Sequence, residues 1–420
     1  MVPNGKKAPV APEDGRPDRL PAAAWRDRPE TRAVIAALEA AGAGPRFVGG
    51  CVRDTLLGRP VADVDIATPL RPEAVMEALR RAGIRVVPTG LDHGTVTAVI
   101  GGQPFEITTL RIDVETDGRH AVVAFTDDWR TDAARRDFTM NALSADPDGR
   151  IHDYFGGVED ALAGRVRFVG DPAQRMDEDV LRLLRLFRFH AHYGRTPIEP
   201  ATLEAVRRFV PRIAGLSGER IRAELLKLLS APDPATAWRV MAGLGVAEAV
   251  LGEPGDADRL ESLSKIEPRP DPLLRLAALV TRADSAAALA QRLRLSNAER
   301  DRLLAAVRPI EGLTPEVTES DLVRTIYRHG RVRVVDRLLI AAAGEPEERR
   351  WPALAETARG VGVPAFPLQG RDIVGLGVPP GPKVGGLLAA VERWWLDGGL
   401  AAGREACLAE ARRLVASARA

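Results

Sequence analysis

An α+β head followed by an all-helical remainder is the fold class that this chain predicts. Three observations carry it. From about residue 31 to 145, apolar positions switch between a period of two and a period of three to four, as strands and helices require. After about Gly170 the strand patterns stop, and Ala-, Leu- and Arg-rich helical periods run to the C-terminus. Pro and Gly punctuate that second half at Pro211, Gly215, Pro232, Pro254, Pro268 and Pro272, as they do between helices. The 420 residues are enough for about two to four compact units.

Residues 1–29 are rich in Pro, Asp and Arg and lack the apolar stretch of a secretory signal, which predicts a short disordered lead-in. Residues 31–41 read as an amphipathic helix, and Arg46, Phe47 and Val48 as a short strand ending at Gly49-Gly50. Residues 52–57 read as a helix and 63–67 as a strand with alternating apolar positions. Pro72 opens a helix over 72–82, and Gly83 closes it. Residues 84–87 are a strand, and 94–100 with 104–110 form a hairpin across Gly101-Gly102-Gln103. Residues 112–129 are polar without a clear period; a mobile loop and a plain insertion fit them equally. The head then closes near 141–145. In the helical part, the Pro/Gly-rich stretch 364–382 links the middle helices to a last pair, about 385–396 and 403–417.

Composition excludes several classes. The net charge of +1 argues against a uniformly basic nucleic-acid coat, though not against a local basic groove. No apolar run approaches the roughly 20 residues that span a bilayer. Two cysteines, Cys51 and Cys407, build neither a disulfide framework nor a cysteine zinc site, and they fit a reducing cytoplasm.

The chemistry concentrates around Asp63 and Asp65. Two apart on an expected strand, they point to one face. Paired carboxylates suit Mg²⁺, a hard cation that takes oxygen ligands and phosphate oxygens. Such metals activate an attacking hydroxyl and stabilise a leaving pyrophosphate. Glu106, between Phe105 and Ile107 on a neighbouring expected strand, is placed to supply a third carboxylate. A solvated strand edge explains an isolated Asp-x-Asp equally well. The glycines shift the balance: Gly49-Gly50 ends a strand before a helix, where backbone comes close to phosphate and free N–H groups favour anions. Arg53 follows in the first turn. Its charge opposes the helix dipole there, unless an anion sits nearby.

At this point the chain resembles a known family. Residues 47–68, beginning Phe-Val-Gly-Gly-Cys-Val-Arg-Asp and ending Asp-Val-Asp-Ile-Ala-Thr, resemble the first motif of the class II tRNA nucleotidyltransferase and bacterial poly(A) polymerase family. Residues 135–143, Arg-Arg-Asp-Phe-Thr-Met-Asn-Ala-Leu, resemble its second motif. Asp153-Tyr-Phe-Gly-Gly with Asp160 and Arg167-Phe-Val-Gly resembles its connecting segment. Glu178-Asp-Val-Leu-Arg182, continuing to Arg185, Arg188 and Phe189, resembles its nucleotide-selecting motif. Leu216-Ser-Gly-Glu-Arg-Ile221 and the tail around Gly381-Pro-Lys-Val-Gly385 also fit. The match is dense over about 46–229, while 233–360 is only generically helical.

The resemblance implies a seahorse-like molecule: a nucleotidyltransferase head with a small mixed sheet over 30–150, a helical neck over 151–230, a body over 231–360 and a tRNA-binding tail over 361–420. It implies Mg²⁺, ATP and CTP, with a tRNA 3′ end as acceptor. Carried over by motif position, Gly50 and Arg53 contact the nucleotide, and Asp63 and Asp65 hold metal. Arg136, Asp179, Arg182, Arg185 and Arg188 line the nucleotide site.

The expected neck helix gives a physical reason for base choice. Asp179 and Arg182 are i and i+3 and would share a face. A carboxylate accepts and a guanidinium donates. Cytosine and adenine each offer an amino donor beside a ring acceptor, so both match such a pair. Guanine and uracil reverse the pattern, an error worth a few kcal/mol in a desolvated site. Arg185 and Arg188 continue the series toward the phosphates. A solvated charged helix face is the plain alternative. In the second motif, Arg136 is expected on the nucleotide, and Asp137 is expected to orient an arginine or Asn141.

Other signals are set aside. Six histidines show no metal-ligand spacing, and Cys51 reads as a packed thiol. Trp394-Trp395 reads as tail packing, while Lys383 at a helix start fits a tRNA phosphate and a plain turn equally. Three functions compete: adding CMP, CMP and AMP to tRNA; A-only addition or poly(A) synthesis; and an inactive RNA-binding relative. The mixed-charge end over 404–420 favours the first over poly(A) synthesis, and intact Asp63, Asp65 and Arg53 oppose the third.

Overall fold

A computed structural model describes residues 17–116, 121–280 and 282–417. Two units make up the chain, Met1–Pro254 and Gly255–Ala420.

The first unit begins with a correction to the expected lead-in. Leu20 and Trp25 are buried, and α1 (Ala24–Asp27) leads directly into α2 (Pro29–Ala40). The Trp25 indole donates to Thr55 Oγ1 at 2.9 Å and meets Phe47 edge-on. A tryptophan with a partnered N–H and a ring contact is a strong anchor, so residues 17–29 belong to the head. Residues 1–16 lie outside the described residues.

Next come β1 (Arg46–Val48), α3 (Gly50–Leu56), β2 (Asp65–Thr68), α4 (Pro72–Arg81), β3 (Arg85–Gly90), β4 (Thr95–Ile100) and β5 (Gln103–Thr109). They are followed by β6 (Arg111–Thr116), β7 (Ala121–Phe125), α5 (Trp129–Ala134), β8 (Ser144–Ala145) and β9 (Ile151–His152). A seven-stranded sheet runs β3-β4-β5-β2-β1-β8-β9. β2 and β5 are parallel while the neighbouring pairs around them are antiparallel, so the sheet is mixed. Val34 and Leu38 of α2 and Val75 and Leu79 of α4 meet Phe47, Ile66, Val96 and Ile107 of the sheet. Each such side chain contributes roughly 1.5–3 kcal/mol when fully buried. α4 has Pro72 at its start, Glu73 in its first turn and Arg80 and Arg81 in its last, in accord with the helix dipole.

Two expectations in the head change. The strand expected over 63–67 starts only at Asp65, and Asp63 stands exposed before it. The partners explain this: β1 pairs with β2 at Ala67 and Ile66, and β5 reaches back only as far as Asp65. The stretch expected as an aperiodic loop over 112–129 instead contains a two-stranded ribbon, β6 with β7. Its β6 does alternate, with Ile112 and Val114 between polar residues, but over too few positions to stand out, and the pairing with β7 shifts register between Asp113 and Glu115. Residues 117–120 lie outside the described residues.

The helical part of this unit continues through α6 (Gly157–Ala163), α7 (Pro172–Glu178), α8 (Leu181–Tyr193), α9 (Pro200–Phe209) and α10 (Gly218–Leu229). α6 anchors the loop that carries residues 135–141. Its Asp160, fully buried, accepts from Thr139 Oγ1 at 2.6 Å, Arg165 Nη1 at 2.7 Å and Arg167 Nε at 2.9 Å. α8 packs on α10 and buries Leu183, Leu184, Leu186 and Phe187.

The second unit is helical throughout its described residues. Its buried Arg275–Glu267 pair, 2.5 Å apart with both side chains 2% exposed, satisfies two charges that would be costly alone. The 364–382 stretch carries its own short helix, Gly370–Val374, capped reciprocally by Gln369 and Asp372. The final pair is Pro382–Asp397 and Arg404–Ser417. Trp395 is buried against Tyr327 and Phe366, whereas Trp394 is 39% exposed. Of the two tryptophans expected to pack the tail, Trp395 is thus the core residue.

Gly157 is the tightest junction between α6 and the 135–141 loop. A Cβ there would lie 2.1 Å from the Thr139 carbonyl oxygen, which is backbone and has no rotamer to change. Gly157→Ala is therefore expected to lower stability by about 1–3 kcal/mol or more. Chemical denaturation checks this, and an unchanged midpoint would refute the close approach.

Candidate active site

β1 ends against α3 at Gly49, whose φ of 68° lies in the left-handed region. A Cβ at Gly49 would approach Arg136 Nη1 to 3.2 Å and the Asn141 carbonyl to 3.7 Å. This glycine therefore lets the α3 N-terminus and the 135–141 loop close on one cavity of about 490 Å³. That volume suits a small organic ligand. Gly49, Gly50 and Arg53 line one side, and Asp65 stands at the end of β2. Arg135, Arg136, Asp137 and Asn141 form a second wall. Asp179, Leu181, Arg182, Arg185 and Phe189 form a third, with Arg220 from α10.

Six of these residues are arginines and three are aspartates, so the cavity favours an anion. The arginines are held by carboxylates behind them. Asp132, 3% exposed, takes Arg135 Nε at 2.9 Å and Arg136 Nη2 at 3.2 Å. Asp137 takes Arg185 Nε at 2.9 Å and Asn141 Nδ2 at 3.0 Å. Burial opposes charge on both aspartates, but the neighbouring guanidiniums, joined at Asp137 by the Asn141 amide, outweigh it and hold both below the usual carboxylate range. Arg53 is 7% exposed and gives Nη1 to Asn141 Oδ1 at 2.5 Å, and Nε and Nη2 to Asp54 at 3.0 and 2.8 Å.

Asp65 and Glu106 are register partners on parallel neighbouring strands. Burial first, then the charges of Glu106 and Asp63, push the Asp65 carboxyl up to about 6, with Arg136 opposing. Asp63 and Glu106 are exposed and stand outside the cavity lining. The strand expected to carry both Asp63 and Asp65 carries only Asp65, and Asp63 stands just before it, its charge still acting on Asp65. Among the described residues, no three His, Cys, Asp or Glu side chains form a ready-made metal cluster. The donors nonetheless fit a hard divalent cation. All are carboxylate oxygens, burial and then their mutual repulsion raise Asp65, and Mg²⁺ typically takes one or two carboxylates together with water and substrate phosphate.

Asp179 and Arg182 are also built differently from a continuous helix. Asp179 has φ −155° and ψ 110°, an extended residue between α7 and α8. Its Oδ1 accepts from Leu181 N at 3.0 Å and its Oδ2 from Arg220 Nη2 at 2.8 Å. An aspartate whose side chain takes the backbone N–H two residues on competes with helix continuation, which is why the helical i, i+3 reading fails here. Arg182 pairs with Glu178 and donates to the Arg175 carbonyl at 3.2 Å. Both Asp179 and Arg182 still line the cavity.

Arg188 does not line it. Its Nε binds Glu224 Oε2 of α10 at 2.6 Å, and its guanidinium lies over Phe189 at 4.4 Å. Six residues along a helix rotate the side chain by about 240° from Arg182, so the expected continuation toward phosphate ends at Arg185. Arg135, Asn141 and Arg220 are cavity residues to which sequence reasoning gave no nucleotide contact. Arg220 lay within a recognised motif, Leu216 to Ile221, but no spacing rule linked it to Asp179. Cys51 is 1% exposed, and burial pushes its thiol up to about 12, so it is packing.

With this geometry in view, comparisons identify the family. The model described as poly A polymerase head domain matches residues 45–167. The one described as probable RNA and SrmB-binding site of polymerase A matches 197–256. A zebrafish (Danio rerio) protein named CCA tRNA nucleotidyltransferase 1, mitochondrial, is 38% identical over 368 residues, covering 83% of each chain. A CCA-adding enzyme of Limosilactobacillus fermentum is 31% identical over 386 residues, covering 88% of this chain and 93% of the relative. A crystal structure of a Bacillus stearothermophilus CCA-adding enzyme in complex with CTP superposes with a TM-score of 0.75 at 29% identity, covering 93% of this chain and 99% of that one. The glycine loop, the arginine-lined cavity and these matches lead to one conclusion: the chain belongs to the class II nucleotidyltransferase family of CCA-adding enzymes and bacterial poly(A) polymerases.

Proposed function

We propose that this protein adds CMP, CMP and AMP in turn to the 3′ end of tRNA, using CTP and ATP and releasing pyrophosphate. The observation that carries this reading is the convergence on one cavity of Asp179 and Arg182, the arginine walls and Asp65. The 3′-hydroxyl oxygen forms a bond to the α-phosphorus, and the bond from that phosphorus to the β-bridging oxygen breaks. Gly49, Gly50, Arg53 and Arg136 would receive the triphosphate, and the pre-paired guanidiniums lose little freedom in doing so. Asp65, with Asp63 and Glu106 nearby, would hold Mg²⁺, which supplies charge neutralisation and activation of the attacking hydroxyl.

Base choice rests on Asp179 and Arg182. Each Asp179 oxygen already accepts one hydrogen bond, and a carboxylate oxygen has a second lone pair for an exocyclic amine. Arg182 would donate to the ring acceptor beside it. Cytosine and adenine satisfy both, so the protein acts as its own template. The names of the relatives support tRNA as the acceptor and CTP as a substrate. In this reading the head (17–150) does chemistry, the neck (151–230) selects, the body (231–360) spaces and the tail (361–420) holds tRNA. A cytoplasmic setting accords with two free, buried cysteines. No described helix is long and apolar enough to cross a membrane.

Incubation with tRNA lacking all three terminal nucleotides, or only the last, tests the reaction. CTP alone with Mg²⁺ should extend the first by two nucleotides, and ATP alone should extend only the second. Failure to incorporate CMP would leave A-only addition instead.

Asp179→Ala should lower discrimination of CTP over UTP by roughly tenfold or more, read as the ratio of kcat/KM values. Undiminished discrimination would remove Asp179 from base selection.

Asp65 yields a pH prediction. Its folded pKa of about 6 lies above the ordinary aspartate value of about 3.9, so the folded state binds this proton more tightly. The resulting stability is fully present below the unfolded value and is lost as pH rises through about 6. In metal-free buffer at pH 8, Asp65→Asn is therefore expected to raise the thermal midpoint by a few degrees while abolishing transfer. Adding Mg²⁺ should stabilise the native protein more than the variant. A lower midpoint in the variant would contradict the crowding of carboxylates.

A further inference from the structure

We infer that Tyr193 is a positioning residue: it fixes the Arg53 guanidinium against the glycine loop, so the helix that selects the base also sets the wall that meets the triphosphate. The inference rests on the nucleotide-site reading above. Tyr193 is the last residue of α8, outside the cavity lining. Its hydroxyl accepts from Arg53 Nη2 at 2.7 Å and donates to Asp54 Oδ1 at 3.1 Å. Its ring faces the Arg53 guanidinium at 4.2 Å and the Arg59 guanidinium at 4.4 Å. Phe189, one turn earlier, stacks on it at 5.7 Å with planes 25° apart.

These contacts close a circuit. Tyr193 grips Arg53, Arg53 grips Asn141, Asn141 grips Asp137, and Asp137 grips Arg185, which returns to α8. Arg185 and Tyr193 are separated by about 12 Å along the helix. α8 is thus fastened at two points, to α3 at Tyr193 and to the 135–141 loop at Arg185. A guanidinium has five N–H donors. The described contacts of Arg53 engage four of them, through Asn141, Asp54 twice and Tyr193. One Nη1 hydrogen remains for a nucleotide in the cavity that Arg53 lines. Without Tyr193, Nη2 keeps only its bond to Asp54 and loses the ring that flanks the guanidinium, and Arg53 gains freedom it must give up on binding.

The triphosphate is common to CTP and ATP, so a loss on this wall affects both alike. In the full-length protein, Tyr193→Phe keeps the ring and removes the hydroxyl. It should weaken binding of CTP and of ATP by the same factor, roughly three- to tenfold, with the thermal midpoint close to wild type and CTP-over-UTP discrimination unchanged. Tyr193→Leu should weaken both further. In an Arg53→Ala background, Tyr193→Phe should add nothing. Calorimetry with each nucleotide reads the affinities, and steady-state kinetics read the discrimination. Equal affinities in wild type and Tyr193→Phe, a loss confined to one nucleotide, or additive effects in the double variant would each overturn the role of Tyr193. If wild type itself bound neither CTP nor ATP, the nucleotide-site reading would fail and this inference with it. The Phe variant carries the test should the Leu variant fail to fold.

Discussion

One buried carboxylate fastens three stretches of chain around the cavity. Asp137 accepts from Asn141 and from Arg185, and its backbone carbonyl takes Val169 N at 3.0 Å. Through Asn141 it reaches Arg53 on α3, and through Arg185 it reaches the selecting helix. Such a group is costly to bury alone. Here the opposing guanidinium and amide more than offset that cost, so Asp137 remains charged where the glycine loop, the second motif and α8 meet. Loss of one link would leave a desolvated charge, which ties site geometry to stability.

The same principle orders the rest of the site. Asp132 holds Arg135 and Arg136, Glu178 holds Arg182, and Asp179 holds Arg220. The arginines face the cavity in fixed directions before any anion arrives, so less reorganisation is required on binding. The Asp65 corner is the opposite case. There, burial first and then the neighbouring carboxylates Glu106 and Asp63 raise Asp65, and Arg136 only partly opposes them. The cavity is thus predominantly cationic along its walls, with clustered carboxylates at one edge.

Much of this was legible in the chain before folding was considered. The β1 strand, the glycine loop, α4 and the β4–β5 hairpin follow from local periods and breakers, and they occur within a few residues of where those signals fall. Tertiary context overrode local signals elsewhere. The ribbon of β6 and β7 has an alternation too short to stand out in a polar stretch, and the segment over 17–29 looked unstructured because its anchors, Leu20 and Trp25, are isolated apolar residues whose partners lie far along the chain.

By itself, the sequence determined which residue types gather in motifs: glycines before a helix, aspartates around a strand, and arginines spaced along a helix. It determined these because short-range spacing controls local backbone and face. Only the tertiary structure decided which members meet. Asp179 turned out of the helix between α7 and α8, Arg188 turned to Glu224, and Arg220 arrived from α10 to hold Asp179. Those outcomes depend on charge pairs between residues tens of positions apart, and such pairs form only when packing of the helices and sheet brings their chain segments within hydrogen-bond reach.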